Sequence, residues 1–540
     1  MPMPKVLVIA GSDSSGGAGL EADQKTLAAH GCFAMTATTA LTAQNTQGVQ
    51  DVHVTPPAFV EKQIRAVLDD GFMDGEGGIV KIGMLASTDT ISAVANVLGE
   101  CREKHGEKLK IVLDPVMVST SGHQLLPGDA VASMRKLLLP MTYILTPNIP
   151  EALLLLREAH PDKETEFRSP SNLDDLKNLA KQVHALGPKH VLLKGGHMPL
   201  NSQCQKAKSD EDKEKTIDIL FPSTSNDTEL DIVDSPYQAS PNTHGTGCSL
   251  ASALAAQLAS KPSQSLSTSS RAAITFVSHG IRTSTTLQLS NRGSGPINHF
   301  HSMLHSPFPR GHFVDYLLSH PRIVPIWQQY VHHPFVAKLA AGTLDVDVFK
   351  NYMTQDYLYL THFARTYGMA AYKSQRIEDV VRASEIVLHI RREMELHLTY
   401  CGEFGVSRDM IEKTEESVAC TAYARYVLDV GHAGDLLGLY VALAPCLLGY
   451  GEVARRLYRD PASKREGNRY WRWVENYVAE DYCEAVGKGR EVIEREAERL
   501  GVGAGSARLE ELVEVFARAT RLEVGFWEEG AHTPVGGGSR

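Results

Sequence analysis

The chain has 540 residues, too many for one core, since single domains stop growing at roughly 250–300 residues, so two domains are expected. Hydrophobic residues make up 43% and charged residues 22%, as in ordinary globular protein, and the net charge of −10 excludes a generic nucleic-acid or membrane-surface binder. No apolar stretch reaches the roughly 20 residues of a membrane helix. The eight cysteines form no Cys-x-x-Cys pair, which argues against a disulfide framework or a zinc site and points to lone thiols in a reducing, cytoplasmic setting.

The N-terminal MPMPKVLVIAGSDSSGG runs from a short apolar stretch straight into glycines, without the cleavage site of a secretory signal, and reads as a first strand. Up to about residue 285, β-branched runs (VLVIA, GGIVKIGML, KLKIVLD, TYILT, HVLLKGG) alternate with helical stretches such as Asp89–Leu98 and Leu173–Leu186. That alternation predicts an α/β domain over 1–287 with a mainly parallel sheet, its ligand groups just after the strand ends. Two polar stretches, Asn201–Ser235 and Ser260–Arg271, read as surface insertions. The Gly-, Pro- and Ser-rich segment 288–311 reads as a linker. From 312 to 540, long 3.6-periodic segments (Val348–Lys373, Ile377–Cys401, Glu416–Val430, Leu436–Tyr458) predict an all-α domain.

In the first domain, GSDSSGGAG after the first strand is a weak signal by itself, and it lacks the Rossmann and Walker spacings. The later segments are more specific. Asp114 ends one strand, Asn148 and Glu151 follow the next, Lys194 follows another, and NTHGTGC enters a helical run with the backbone N–H groups from Gly245 through Gly247 to Cys248 facing outward. A cation, an Asn/Glu pair suited to a magnesium shell and an amide nest are parts of a phosphoryl-transfer site. Each alone has an ordinary reading, Lys194 as a surface cation or Asp114 as a turn former.

Together, GSDSSGGAG, ALTAQNTQGV, KIGML, DPVMVSTSG, LTPNIPEA, KGGH and NTHGTGC resemble the hydroxymethylpyrimidine/phosphomethylpyrimidine kinases of the ribokinase-like superfamily, over nearly all of 1–285. The resemblance implies ATP as phosphoryl donor with Mg2+. It implies that Gln44 hydrogen-bonds an aminopyrimidine, that Gly11, Asp23 and Met84 help line its pocket, and that Cys248 stands where sugar kinases of this fold carry an aspartate base. A thiol's ordinary pKa near 8.5 is lowered at a helix N-terminus. Cys248 would therefore accept the hydroxymethyl proton, or else sit beside it. The insertion after Lys194 departs from the compact family pattern.

In the helical domain, FKNYMTQDYLYL sets Asp356 and Tyr359 on one helix face, and APCLLGY does the same for Cys446 and Tyr450. CTAYARY, WVENY and RLEVGFWEEG add Tyr423, Tyr477 and Glu523. A thiol, two carboxylates and inward phenols suit binding and attack of a polar aromatic ring. Any one tyrosine also reads as core, but Asp356 in an apolar stripe needs a partner. The order QDYLYL, TAY, PC…GY, WV..Y and E..FW resembles the TenA-type thiaminase II family, with its haem-oxygenase-like helical fold, over about 315–530. By that resemblance Cys446 is the nucleophile, Glu523 the acid/base and Asp356 the anchor of the ring's amino group, while Tyr359, Tyr423, Tyr450 and Tyr477 line the pocket. Neither haem nor zinc is expected.

The expected whole is a bifunctional enzyme of thiamine salvage, phosphorylating hydroxymethylpyrimidine to its mono- and diphosphate and hydrolysing thiamine or related aminopyrimidines. It is expected to bind small molecules only, neither nucleic acid nor membrane, and to form a homo-oligomer. Two rivals are a kinase acting on pyridoxal or a sugar, and a helical half that only binds thiamine or mediates oligomerisation. Gln44 and Cys248 speak against the first, and the Cys446–Glu523 pair against the second.

Overall fold

In the computed structural model, which describes residues 3–75, 77–117, 128–222, 229–287, 293–303, 306–501 and 506–532, the chain forms two units, Met1–Met303 and Leu304–Arg540. The end of the DPVMVSTSG motif (118–122) and residues 288–292 and 304–305 of the expected linker lie outside the described residues.

The first unit is built on β1 (Lys5–Asp13), β2 (Phe33–Asn45), β3 (Gly48–Val54), β4 (Gly78–Ile82), β5 (Leu109–Leu113), β6 (Ile144–Leu145), β7 (His190–Leu193), β8 (Lys215–Phe221) and β9 (Asp231–Pro236). They form one sheet in the order β3-β2-β1-β4-β5-β6-β7-β8-β9. The six strands β2, β1, β4, β5, β6 and β7 run parallel, and β3, β8 and β9 are antiparallel additions at the edges. Alternation along β1 serves two cores: Leu7 and Ile9 point to one face, Val6, Val8 and Ala10 to the other. Helices α1 (Gly19–Ala29), α2 (Pro57–Asp69), α3 (Thr88–His105), α4 (Gly128–Leu137), α5 (Ile149–Ala159), α6 (Leu173–His184), α7 (Thr246–Ser260) and α8 (Leu266–Thr283) cover both faces, as a parallel sheet requires. In α7 the run Ala251–Ala256 is almost wholly buried, and its small side chains let the helix lie close to the strands.

Three expectations are corrected here. The polar stretch 201–235 is not simply a surface insertion, since it contributes β8 and most of β9, with Ile217, Ile219 and Phe221 in the core. The second half of Ser260–Arg271, from Leu266, is the start of α8, with Ser269 and Ser270 fully buried, while 261–265 is a loop. Part of the expected linker is structural: Ile297 is 1% exposed within the first core, Pro296 bridges to His244, and His299 Nε2 meets Ser249 Oγ at 2.9 Å.

The second unit is helical among its described residues: α9 (Phe313–Ser319), α10 (Val324–Val331), α11 (Pro334–Ala341), α12 (Val346–Lys373), α13 (Ile377–Glu403), α14 (Arg408–Glu412), α15 (Val418–Ala433), α16 (Leu436–Arg459), α17 (Trp471–Val478), α18 (Glu480–Leu500) and α19 (Ala507–His532). Helix α16 reads LLGLYVALAPCLLGY and is apolar all round because neighbours cover it on all sides. It is long and apolar enough to cross a membrane by length and composition, contrary to the sequence expectation, but 78% of its apolar window is buried inside the protein. Pro445 within it has no N–H for the Val441 carbonyl, one turn back, just before Cys446.

Candidate active sites

In the first unit, a cavity of about 600 Å³ opens at the carboxyl ends of the parallel strands, beside the point where strand order reverses around β1. Gly11, Gln44, Met84, Asp114, Asn148, Glu151, Lys194, Gly245, Gly247 and Cys248 all line it. Gly11 leaves room for Met84, whose methyl would stand 2.3 Å from a Cβ there and would have to move aside. Gly245 has φ 78° ahead of α7, and a Cβ would meet the Gly17 carbonyl at 1.8 Å. Lys194 Nζ pairs with Asp114 Oδ1 at 2.7 Å and would lie 3.1 Å from a Cβ on Gly247. A fixed cation thus stands at the amino end of a helix, where both favour an anion.

Asn148 and Glu151 have a local task. The Asn148 side chain accepts from the Glu151 N–H and Glu151 Oε2 accepts from the Asn148 N–H, a reciprocal cap on α5. Burial, reinforced by the charge of Asp114 and opposed by Lys194, pushes Glu151 up to about 7. Asp23 does not line the cavity. It is fully buried, paired with Lys81 Nζ at 2.7 Å and accepting from Ser252 Oγ at 2.7 Å, and it is Lys81 that reaches the cavity wall. The expectation for Cys248 is also corrected: burial pushes its thiol up to about 12, although Lys81 works the other way.

Gln44 is held from several sides. Its backbone exchanges two 2.8 Å hydrogen bonds with the Ser14 hydroxyl. Its carboxamide lies 3.3 Å from His244 Nε2 on one side and 3.3 Å from Thr42 Oγ1 on the other.

In the second unit, α12 sets Tyr352, Asp356 and Tyr359 along one face, all buried. Tyr359 stacks on Tyr423 of α15, centroids 4.9 Å apart and 13° from parallel. Tyr450, one turn from Cys446 on α16, lies 5.2 Å from the Tyr477 ring. Gly449 makes room for Tyr330, whose ring carbon would be 2.0 Å from a Cβ there. Asp356 Oδ2 has the Tyr352 hydroxyl at 3.5 Å and His397 Nε2 at 3.7 Å, and Trp473 Nε1 donates to Tyr352 at 3.2 Å. Burial, with Glu393 adding its charge, pushes Asp356 up to about 7, and burial pushes His397 down to about 4.

Glu523 is 2% exposed. Burial pushes it up to about 8, aided by the charge of Asp356 and opposed by Tyr423, Cys446 and Tyr330 close by. None of these phenols reaches good hydrogen-bond geometry: among the described residues, Glu523 Oε1 and the hydroxyls of Tyr330 and Tyr423 have no partner. Buried polar atoms without a partner are uncommon, and these three lie together beside the Cys446 thiol. Burial drives the Cys446 thiol well above its ordinary range, and Glu523, Asp356 and Glu393 all add to the effect.

Two family patterns match these two units. Phosphomethylpyrimidine kinase matches residues 13–298, and TENA/THI-4/PQQC matches 320–533. A Schizosaccharomyces pombe protein, provisionally described as a hydroxymethylpyrimidine/phosphomethylpyrimidine kinase, is 41% identical over 97% of this chain and 91% of its own. The chain belongs to the phosphomethylpyrimidine kinase family. It carries a TenA-family domain behind the kinase-family unit. A Saccharomyces cerevisiae hydroxymethylpyrimidine/phosphomethylpyrimidine kinase is 34% identical over 97% of this chain and 95% of its own. A solved Bacillus subtilis pyridoxal kinase in complex with ADP is 28% identical and covers 56% of this chain and 98% of its own, with a TM-score of 0.43.

The structure also adds residues that sequence reasoning passed over. In the kinase-family unit these are Lys81, inside the KIGML motif, and Asp13, Thr42 and His244 around Gln44. Lys81 carried a signal, a lone lysine in an otherwise apolar strand. In the TenA-family unit they are Tyr330, Tyr352, Glu393 and His397. Glu393 and His397 are one turn apart on α13, the spacing of one helix face, but that face is not visible as a site until α13 packs on α12.

Proposed function

We propose that the kinase-family unit phosphorylates 4-amino-5-hydroxymethyl-2-methylpyrimidine, and then its monophosphate, with ATP, and that the TenA-family unit hydrolyses thiamine or related aminopyrimidines to release that alcohol. The reading is carried by the grouping of each constellation: Gln44, Lys194 and Cys248 share one cavity, and Cys446, Glu523 and Asp356 share one buried cluster.

In the first unit, Gln44 would pair with the aminopyrimidine edge. Lys194 and the backbone N–H groups at the start of α7 would carry the charge of the transferring phosphoryl group, the larger part of catalysis in such reactions. Cys248 begins as a neutral thiol, so it serves by sitting against the hydroxymethyl group rather than as a ready base. Magnesium would come with the ATP phosphates. Asp114 and Glu151 are hard oxygen donors suited to it, and a cation beside Glu151 would relieve the burial and like charge that hold its proton on.

In the second unit, Glu523 is protonated at neutral pH and can give its proton to a ring nitrogen while taking the one that Cys446 loses. A sulfur–carbon bond forms, and the C=N π pair becomes the N–H bond. The 4-amino lone pair then expels the leaving group from the ring's methylene with its bond pair; water adds to that carbon and gives up a proton, and the N–H pair re-forms the C=N bond as sulfur leaves and takes the ring proton back as the thiol. Asp356 would anchor the amino group, and the Tyr359–Tyr423 stack would give the ring a flat wall.

The eight cysteines are free thiols, which suits a cytoplasmic enzyme. Ile377, Val381 and Leu388 lie exposed along one face of α13, an apolar surface that suits a homo-oligomer. The deciding experiment is product analysis of the purified full chain given thiamine or the aminomethylpyrimidine, with and without ATP. Hydroxymethylpyrimidine should form without ATP and its mono- and diphosphate with it. Free alcohol that persists in the presence of ATP would refute the kinase reading, and unchanged thiamine and aminomethylpyrimidine would refute the hydrolase reading.

A further inference from the structure

A carboxamide can turn half a rotation about its last bond and exchange its donor for its acceptor. In Gln44 both contacts of that group are decided by proton counting. On one side is His244 Nε2, which also lies 2.8 Å from Asp13 Oδ2. Asp13 accepts from the N–H of Ser15, Gly17 and Ala18 and from the Ser15 hydroxyl. Against its burial, the bonds from His244 and Ser15 and these amides hold its carboxyl down to about 2, so Asp13 is an anion and only accepts. His244 Nε2 therefore carries a proton. A Gln44 nitrogen facing it at 3.3 Å would set N–H against N–H; an oxygen there shares, as the second and longer acceptor, the proton that His244 gives to Asp13 at 2.8 Å. On the other side, Thr42 Oγ1 gives its single proton to the Ser12 carbonyl at 2.8 Å. Toward Gln44 it can only accept, so a Gln44 oxygen at 3.3 Å would set lone pair against lone pair, whereas a nitrogen donates. Both contacts require the same half-turn.

We propose that His244 and Thr42 lock the Gln44 carboxamide with its oxygen toward His244 and its nitrogen toward Thr42, and so make the pocket select a 4-aminopyrimidine over its 4-oxo counterpart. This rests on the reading of Gln44 as the pyrimidine-binding residue. A 4-aminopyrimidine offers a donor (the amino group) beside an acceptor (ring N3), and the spare lone pair and N–H of the locked carboxamide match that order. The amino group then lies on the His244 side. The hydroxymethyl group, on the next ring carbon, is turned the same way, toward the side on which α7 and Cys248 begin. A 4-oxo ring offers acceptor beside N–H, the reverse order. A freely turning glutamine would accommodate it, and a locked one opposes it at both positions. His244 and Thr42 are thus positioning residues, acting through Gln44.

The test is the ratio of kcat/KM for the 4-amino substrate to that for 5-hydroxymethyl-2-methylpyrimidin-4-one, measured on the full chain with ATP. Thr42→Val removes one lock and should narrow the ratio by about three- to tenfold, the worth of one net hydrogen bond; His244→Leu removes the other, a shared proton, and should narrow it by less. Thr42→Ser keeps the hydroxyl and should keep the ratio. Should His244→Leu fail to fold, the Thr42 pair decides alone. If Thr42→Val lowers both kcat/KM values equally and leaves the ratio unchanged while Gln44→Ala collapses it, the lock is refuted and Gln44 stands. If Gln44→Ala also leaves the ratio unchanged, the reading of Gln44 itself is wrong.

Discussion

Replacing Glu523 by glutamine should make the TenA-family unit more stable as pH rises, and less active. The carboxyl goes from an ordinary 4.5 in the unfolded chain to about 8 in the folded one. Between these values the folded state holds a proton that the unfolded state has lost, so the folded state loses relative stability as pH climbs from about 4.5 to about 8, and no more above that. The gap corresponds to roughly 5 kcal/mol, reduced by any relaxation of the site, so at least ~2 kcal/mol should be measurable. Glutamine has the same shape and does not ionise. Its advantage over the unmutated protein should be near zero at pH 5 and largest at pH 9. For a unit of this size the gain corresponds to about 4–20 °C in transition temperature, read by calorimetry of the full chain at a series of pH values. Burial of Asp356 and Glu393 is common to both proteins and cancels, whereas the Asp356–Glu523 repulsion is absent from the variant and adds to its gain at high pH. Hydrolysis should fall by about 10²–10⁴-fold, as for loss of a general acid. Stability curves that run parallel across pH 5–9 would refute the claim that Glu523 is buried with its proton on.

Cys446→Ser should nearly abolish hydrolysis, since a hydroxyl is a poor nucleophile near neutral pH, while Cys248→Ser should leave measurable kinase turnover, because the Cys248 thiol is neutral at its buried position; steady-state assays of both activities in each variant check this, and a fully active Cys446→Ser protein would end the covalent mechanism. Lys81→Met should destabilise the kinase-family unit by about 3–5 kcal/mol, because Asp23 would be left buried without its cation; urea unfolding reads this, and Lys81→Met with Asp23→Leu should recover much of it. A fragment ending at residue 303 should keep kinase activity, and one ending at 290 should be markedly less stable. The shorter piece loses Ile297, whose burial is worth about 1.5–3 kcal/mol, along with the His299–Ser249 contact; equal melting temperatures for the two would show that the segment adds nothing.

Much of both candidate sites was legible in one dimension because their residues sit at positions that local rules mark. Asp114, Asn148 and Lys194 follow β-branched runs, where an α/β sheet presents its ligand groups. Gly245 and Gly247 announce a helix start. Asp356 and Tyr359, and Cys446 and Tyr450, share helix faces by spacing alone. What the local rules missed depended on distant partners. TIDILF (Thr216–Phe221) carries a strand pattern, but its polar flanks made it read as part of an insertion until pairing with β7 buried it. Asp23 looked like a pocket residue until Lys81, 58 positions away, was seen to neutralise it. The helix start that should lower the Cys248 thiol is overridden by the burial that tertiary packing imposes. Tyr330, Glu393 and His397 come near Cys446 and Asp356 only because α10 packs against α16 and α13 against α12. Sequence determines which groups are available and which face of an element they share. Desolvation, proton placement and the pairing of charges depend on what the rest of the chain brings within a few ångströms, and that only the tertiary structure decides.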